Sequence, residues 1–183
     1  MCRKKHSGYH IACLAVFITV VVACSASAAA VGPVEIVSTS DFHSDISVDS
    51  GTAVGFGLAT IRSASNAPVT NLAATLVPDG TTRGSVVEVY AVESVRWDLP
   101  AIAVADWETV LSELHGHEVK LEDFTLTADS GLVNILFKII AHKDGRSDWS
   151  HIVFSYEYEG QKYSETISGS FSLCAPATIK CDS

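Results

Sequence analysis

Hydrophobic and polar residues alternate with a period of two along most of the chain beyond position 50, the signature of half-buried β-strands. The stretch 150–158 is the clearest, with Ile152, Phe154, Tyr156 and Tyr158 on one face. Residues 161–173 repeat it through Tyr163, Ile167, Phe171 and Leu173. Residues 52–62 place Val54, Phe56 and Leu58 together, with Gly55 and Gly57 between them. Further strands are predicted at 34–37, 46–48, 69–77 (Leu72, Ala74, Leu76), 85–95 and 119–127. Residues 135–141 are apolar on both faces, as a central strand buried on two sides would be.

Turn chemistry punctuates these strands. Glu159-Gly160 reads as a tight hairpin, and Asp144-Gly145, Pro78-Asp79-Gly80 and Asp129-Ser130-Gly131 mark other reversals. One segment breaks the period: at 105–115, Trp107, Val110, Leu111 and Leu114 recur at helical spacing behind Asp106, a capping residue type. A short helix bridging two sheets is expected there. About eight short strands with one helix predict an all-β fold, an immunoglobulin-like antiparallel β-sandwich.

The N-terminus follows a different logic. Arg3, Lys4 and Lys5 precede an apolar run from 11 to 23, and small residues fill 24–30. A run this short falls below the roughly 20 residues of a bilayer-spanning helix and matches a secretory signal peptide. Ala26-Ser27-Ala28 fits ordinary signal-peptidase cleavage. Val21-Val22-Ala23-Cys24 resembles a bacterial lipobox, in which Cys24 would carry a lipid anchor. Residues 1–28 are read as signal peptide, 32–173 as the sandwich and 174–183 as a C-terminal tail. No later segment is long and apolar enough to predict a transmembrane span.

The 183-residue chain is 48% hydrophobic and 18% charged, a folded composition. Its net charge of −9 understates the acidity of the mature part, because the first thirty residues hold three of the twelve basic side chains and none of the 21 acidic ones. Nine bases against 21 acids leave the mature domain at −12. Such a surface disfavours nucleic acid and anionic membranes. Three of five cysteines lie in the signal segment, so Cys174 and Cys181 are expected to pair in an oxidising compartment and close the tail.

Candidate chemistry is sparse. His115-Gly116-His117 would set two imidazoles on one strand face, where they could share a metal, but no third ligand has a diagnostic spacing. Asp41, His43, Asp45 and Asp49 alternate without the turn glycine of a calcium loop. No nucleophile elbow or cysteine–histidine framework is present, so no enzyme activity, catalytic residue or cofactor is expected. Trp97, Trp107 and Trp149 are core fillers or anchors for a partner, and Trp97 and Trp107 flank the segment that interrupts the strand pattern.

Residues 54–62, the polar linker 63–68 and the strand 69–77 resemble the opening of extracytoplasmic Ig-like modules. Val92-Glu93-Ser94-Val95-Arg96-Trp97-Asp98, Pro100-Ala101-Ile102, the apolar strand 132–141 and Lys143-Asp144-Gly145 follow in the order of the luminal domain of the translocon-associated protein beta subunit. The resemblance covers 52–146, and adhesion repeats of the CARDB class are similar to the same degree. The chain departs from the former family in its Cys174/Cys181 tail, its longer segment between Trp97 and Phe124 and its lack of a C-terminal membrane helix. Both resemblances imply a binding or scaffolding module rather than an enzyme. With the signal segment, the expectation is a non-enzymatic interaction module, secreted, luminal or at the cell surface, with a protein partner. The alternatives are a metal- or ligand-binding sandwich using His115 and His117, and an envelope lipoprotein anchored at Cys24. N-terminal sequencing of the exported protein should find a start between Ser25 and Val31. An intact Met1 on membrane-bound protein contradicts the cleavable signal, and an acylated Cys24 selects the lipoprotein.

Overall fold

The computed structural model describes residues 32–37, 43–93, 104–114 and 116–181. The strands in chain order are β1 (Val34–Ile36), β2 (His43–Ser47), β3 (Ala53–Ser63), β4 (Val69–Pro78), β5 (Gly84–Glu93), β6 (Val104–Asp106), β7 (Glu118–Lys120), β8 (Val133–Ala141), β9 (Gly145–Tyr158) and β10 (Gln161–Ala175). Among the described residues one α-helix, α1 (Trp107–Leu114), lies between β6 and β7. The all-β class read from the alternation is what the chain adopts.

Two sheets face each other. One has the order β1-β3-β8-β5-β7, with β6 also on β3; the other has the order β2-β10-β9-β4. Among the described residues all pairings are antiparallel except β2 on β10, which is parallel. The β9–β10 hairpin turns at Glu159 and Gly160, both at positive φ (50° and 75°), the backbone a two-residue type I′ loop requires.

The inward faces carry the core. Phe56 and Phe137 of the first sheet and Phe154 and Phe171 of the second are fully buried, among Ile61, Ile135, Ile139 and Ile152. The Phe56 and Phe171 rings stack across the gap at 4.0 Å, and Trp149 stacks on Phe171 at 5.5 Å. Ser147 Oγ, also buried, accepts the backbone N–H groups of Arg83 and Gly84 at 2.5 and 2.9 Å, tying the start of β5 to the opposite sheet.

β8 explains its own two-faced apolarity. Val133, Ile135, Phe137 and Ile139 point into the core, while Leu136 on the other face packs with Val92, Trp107, Val110 and Leu114. α1 therefore lies on the outer face of one sheet and does not bridge the two. The chain leaves the sheet at β6, beside Val54–Phe56 of β3, and folds back over Gly55. A Cβ at Gly55 would stand 2.7 Å from Val110 Cγ2, so glycine lets the helix approach. Asp106 caps α1 by accepting the Thr109 N–H at 3.1 Å.

The expected strand 119–127 is also corrected. β7 stops at Lys120, a 3-10 turn takes Leu121–Asp123, and Leu126 makes a single bridge to Val69. This segment starts on the edge of β5 and ends on the edge of β4, so it crosses the open side of the sandwich and cannot continue one ladder. Cys174 and Cys181 are disulfide-bonded. The bridge lays the tail against β2, where Ser47 Oγ donates to Ile179 O at 2.6 Å and Asp49 accepts the Ala177 N–H at 3.3 Å.

Phe171→Ala should lower unfolding stability by about 3–5 kcal/mol, because the ring is packed on two aromatics. Cys174→Ser with Cys181→Ser should lower it by about 2.5 kcal/mol, the loop-closure value for this ring. Urea denaturation checks both. A Phe171→Ala loss under about 1 kcal/mol would remove the inter-sheet stack from its role as the clamp.

Candidate functional site

Cys24, Trp97 and His115 lie outside the described residues. His117 is exposed, just before β7, and its backbone N–H closes onto Leu114 O at 3.0 Å. Trp107 begins α1 and is 4% exposed, its ring between Tyr90 at 5.4 Å and the Lys138 ammonium at 5.0 Å. Of the two tryptophans expected at a partner surface, Trp107 is turned toward the sheet. Trp149 is core. Among the described residues, no group of three or more His, Cys, Asp and Glu is placed to hold a metal. No helix among them is long and apolar enough to cross a membrane.

Two polar arrangements occupy the outer faces. Under α1, Glu88 of β5 receives Lys138 at 3.1 Å and Lys120 at 3.3 Å. Bonding from Tyr90, then Lys138, holds the Glu88 carboxyl below its ordinary range against the opposing effect of burial. Burial and the Glu88 bond push the Tyr90 phenol up to about 12. An aromatic hydroxyl held this firmly protonated is a donor, not a base.

On the outer face of the second sheet, the parallel register sets His43 beside Ser170. His43 Nδ1 is 2.7 Å from Ser170 Oγ, and its Nε2 is 3.0 Å from Asp45 Oδ2. The order acid, imidazole, hydroxyl is that of an activated nucleophile. The His43 side chain is 56% exposed on an open strand face, so water competes throughout; the contact ties β2 to β10. Next to it, Arg146 Nε donates to Asp148 at 2.8 Å and its Nη2 to Ser172 Oγ at 3.1 Å, and Arg146 also reaches Cys181 O. Burial favours the neutral form of Asp148, yet bonds from Ser172 and Arg146 and the Arg146 charge hold the carboxyl below its ordinary range. This network anchors the disulfide-closed tail.

A concave feature lies at the open side of the sandwich. A groove of about 300 Å³ runs between β4 (Leu72, Ala73, Ala74) and β5 (Val86 to Val89), and Lys120, Leu121 and Glu122 line one end. Both walls are sheet edges. Among the described residues β4 pairs on this side only at Val69, and β5 pairs with β7 only over Tyr90 to Val92. The groove has room for one or two side chains, at the low end for a ligand site. Sequence reasoning missed it because it is made by two edges from separate sheets. The one local signal was the break in alternation after Lys120.

Glu88 and Asp148 both titrate lower in the fold than their ordinary 4.5 and 3.8. Their contribution to stability is therefore complete above those values and is lost as pH falls through the lower folded ones. Asp148→Asn should lower the urea midpoint at pH 7 and flatten its decline between about pH 4.5 and 3 relative to wild type. Parallel curves for the two proteins would contradict the assignment.

No protein-family model matches the chain, and no curated protein does. Among solved structures, a family 123 glycoside hydrolase from Clostridium perfringens, analysed for glycolipid glycan hydrolysis, aligns with 74% of this chain at 8% identity and a TM-score of 0.38. The aligned part is 23% of that enzyme's length.

Proposed function

We propose that the mature chain is a non-enzymatic, extracytoplasmic protein-interaction module with an immunoglobulin-like sandwich. The strand order supports the Ig-like reading. With β1 and β2 as the two halves of a split first strand, the sheets run A-B-E-D (β1-β3-β8-β5) and A′-G-F-C (β2-β10-β9-β4). β6, α1 and β7 are then an insertion between D and E. Among the described residues no disulfide joins B and F, since Cys174 and Cys181 lie at the end of G and in the tail, and the Phe56–Phe171 stack links B to G across the sheets.

The observation that carries the interaction reading is the open side between β4 and β5. Strand edges present backbone donors and acceptors that a second polypeptide can pair with, and sandwiches use such edges and loops for partners. The signal-like N-terminus and the disulfide-paired tail support an oxidising, exported location. The buried or solvent-exposed settings of the polar clusters support a structural role for them, since neither offers a nucleophile in an enclosed site.

Mature protein immobilised at low salt should retain a stoichiometric protein partner from the extracytoplasmic fraction of its own cells. Recovery of the domain alone with stoichiometric zinc or copper, lost in His115→Ala with His117→Ala, would replace this reading by the metal-binding one.

A further inference from the structure

We infer that the partner is engaged by strand addition: an extended peptide segment flanked by a basic residue pairs its main chain with the free edge of β4 over Ala73 to Val77. This rests on the interaction reading above and names its surface and its ligand.

Three observations lead there. The first is the chain's own behaviour on that edge. Leu126 exchanges both backbone bonds with Val69, N–H to O at 2.9 and 3.0 Å, in antiparallel fashion. The residues before it, which would extend that pairing toward Ala73, are drawn up instead into the 3-10 turn Leu121–Asp123 at the end of the groove, so among the described residues the backbone pairing on this side of β4 stops at Val69.

The second is the contrast between the two groove walls. β4 is irregular at Asn71, which has a φ of 52°, and regular against β9 from Ala73 to Val77. β5 shifts register between Val86 and Glu88, in the stretch that faces the groove. A bulge spoils a pairing edge, so the straight edge, β4, is the one that accepts a strand. Alternate side chains of the incoming segment then drop toward Leu72, Ala74 and Val86, and the groove's about 300 Å³ suits one or two of them.

The third is charge. Glu88 at the groove is already engaged by Lys120 and Lys138, whereas Glu122, which lines one end, and its neighbour Asp123 are exposed and form none of the salt bridges found among the described residues. The mature domain as a whole carries −12. A basic flank is attracted to that end, and a second copy of this acidic domain is repelled.

The test uses the mature protein and a displayed library of ten-residue segments alternating apolar and polar residues, with Lys or Glu at the terminal positions. Lys-flanked segments should be enriched, and a selected synthetic peptide should slow amide hydrogen exchange in Ala73 to Val77. Ala74→Trp, which fills the groove, should weaken that peptide tenfold or more. Glu122→Lys, at an exposed position where folding is not at stake, should turn the selection toward Glu-flanked segments. Protection on Val86 to Val89 instead, affinity indifferent to both variants, or dimerisation of the free domain would overturn the proposal. A natural partner that is captured equally by wild type and Ala74→Trp overturns the strand-addition surface and leaves the module reading standing. Failure to capture any natural partner, with peptide selection intact, does the reverse.

Discussion

Packing between the two inward faces is what holds the sheets together, with the Ser147 bonds to the start of β5 as a polar stitch at one end. Among the described residues no covalent link joins them, since Cys174 and Cys181 lie at the end of β10 and in the tail that follows it. Phe171 is the centre of that packing, stacked on Phe56 across the gap and on Trp149 within its own sheet. Burying side chains of this size contributes on the order of 2–3 kcal/mol each, and the geometry of every edge and loop is inherited from the sheet separation they set. The groove between β4 and β5 has its width for the same reason. The outer faces are then free to specialise, one taking a helix and the other the tail.

Much of this was legible because a strand buried on one face writes its period into the sequence. The inward sets on β9 and β10 are the alternating residues read from the chain, as is the two-sided burial of 135–141. What was not legible depends on register. Ile152, Phe154 and Tyr156 point inward at even positions, but Ser147 and Trp149 point inward at odd ones, because the pairing slips between Ser168 and Phe171. Alternation read locally continues through such a slip and misses the change of face. The helix was visible from its 3.6 period, yet its berth depended on Gly55, fifty residues upstream, whose missing side chain leaves room for Val110.

The candidate site was harder for a related reason. A groove between two edges belongs to no single segment, and Ala73, Val86 and Glu122 have nothing in common as a string. His43 and Ser170, 127 positions apart, meet only because β2 runs parallel to β10. The segments that drew notice for their chemistry behave otherwise: the helix tryptophan is absorbed into packing against Tyr90 and Lys138, and the cysteines fasten the chain end. Contact order, more than residue type, separates what a single sequence discloses from what it withholds.

The tail has a consequence for assembly. The sheet that contains β4 has two margins, and they are treated unequally: β2 has residues 176–181 fastened against it by a covalent bond, whereas β4 on its outer side pairs among the described residues only with Leu126 and has the Leu121–Asp123 turn beside it. A sheet open at both margins can add strands at each end and propagate into a fibre. A sheet sealed at one margin has a valence of one: it can accept a single strand and then has no further site to offer. The disulfide thus lowers the valence of this sheet for strand addition, a constraint on quaternary structure set by a covalent bond near the chain end.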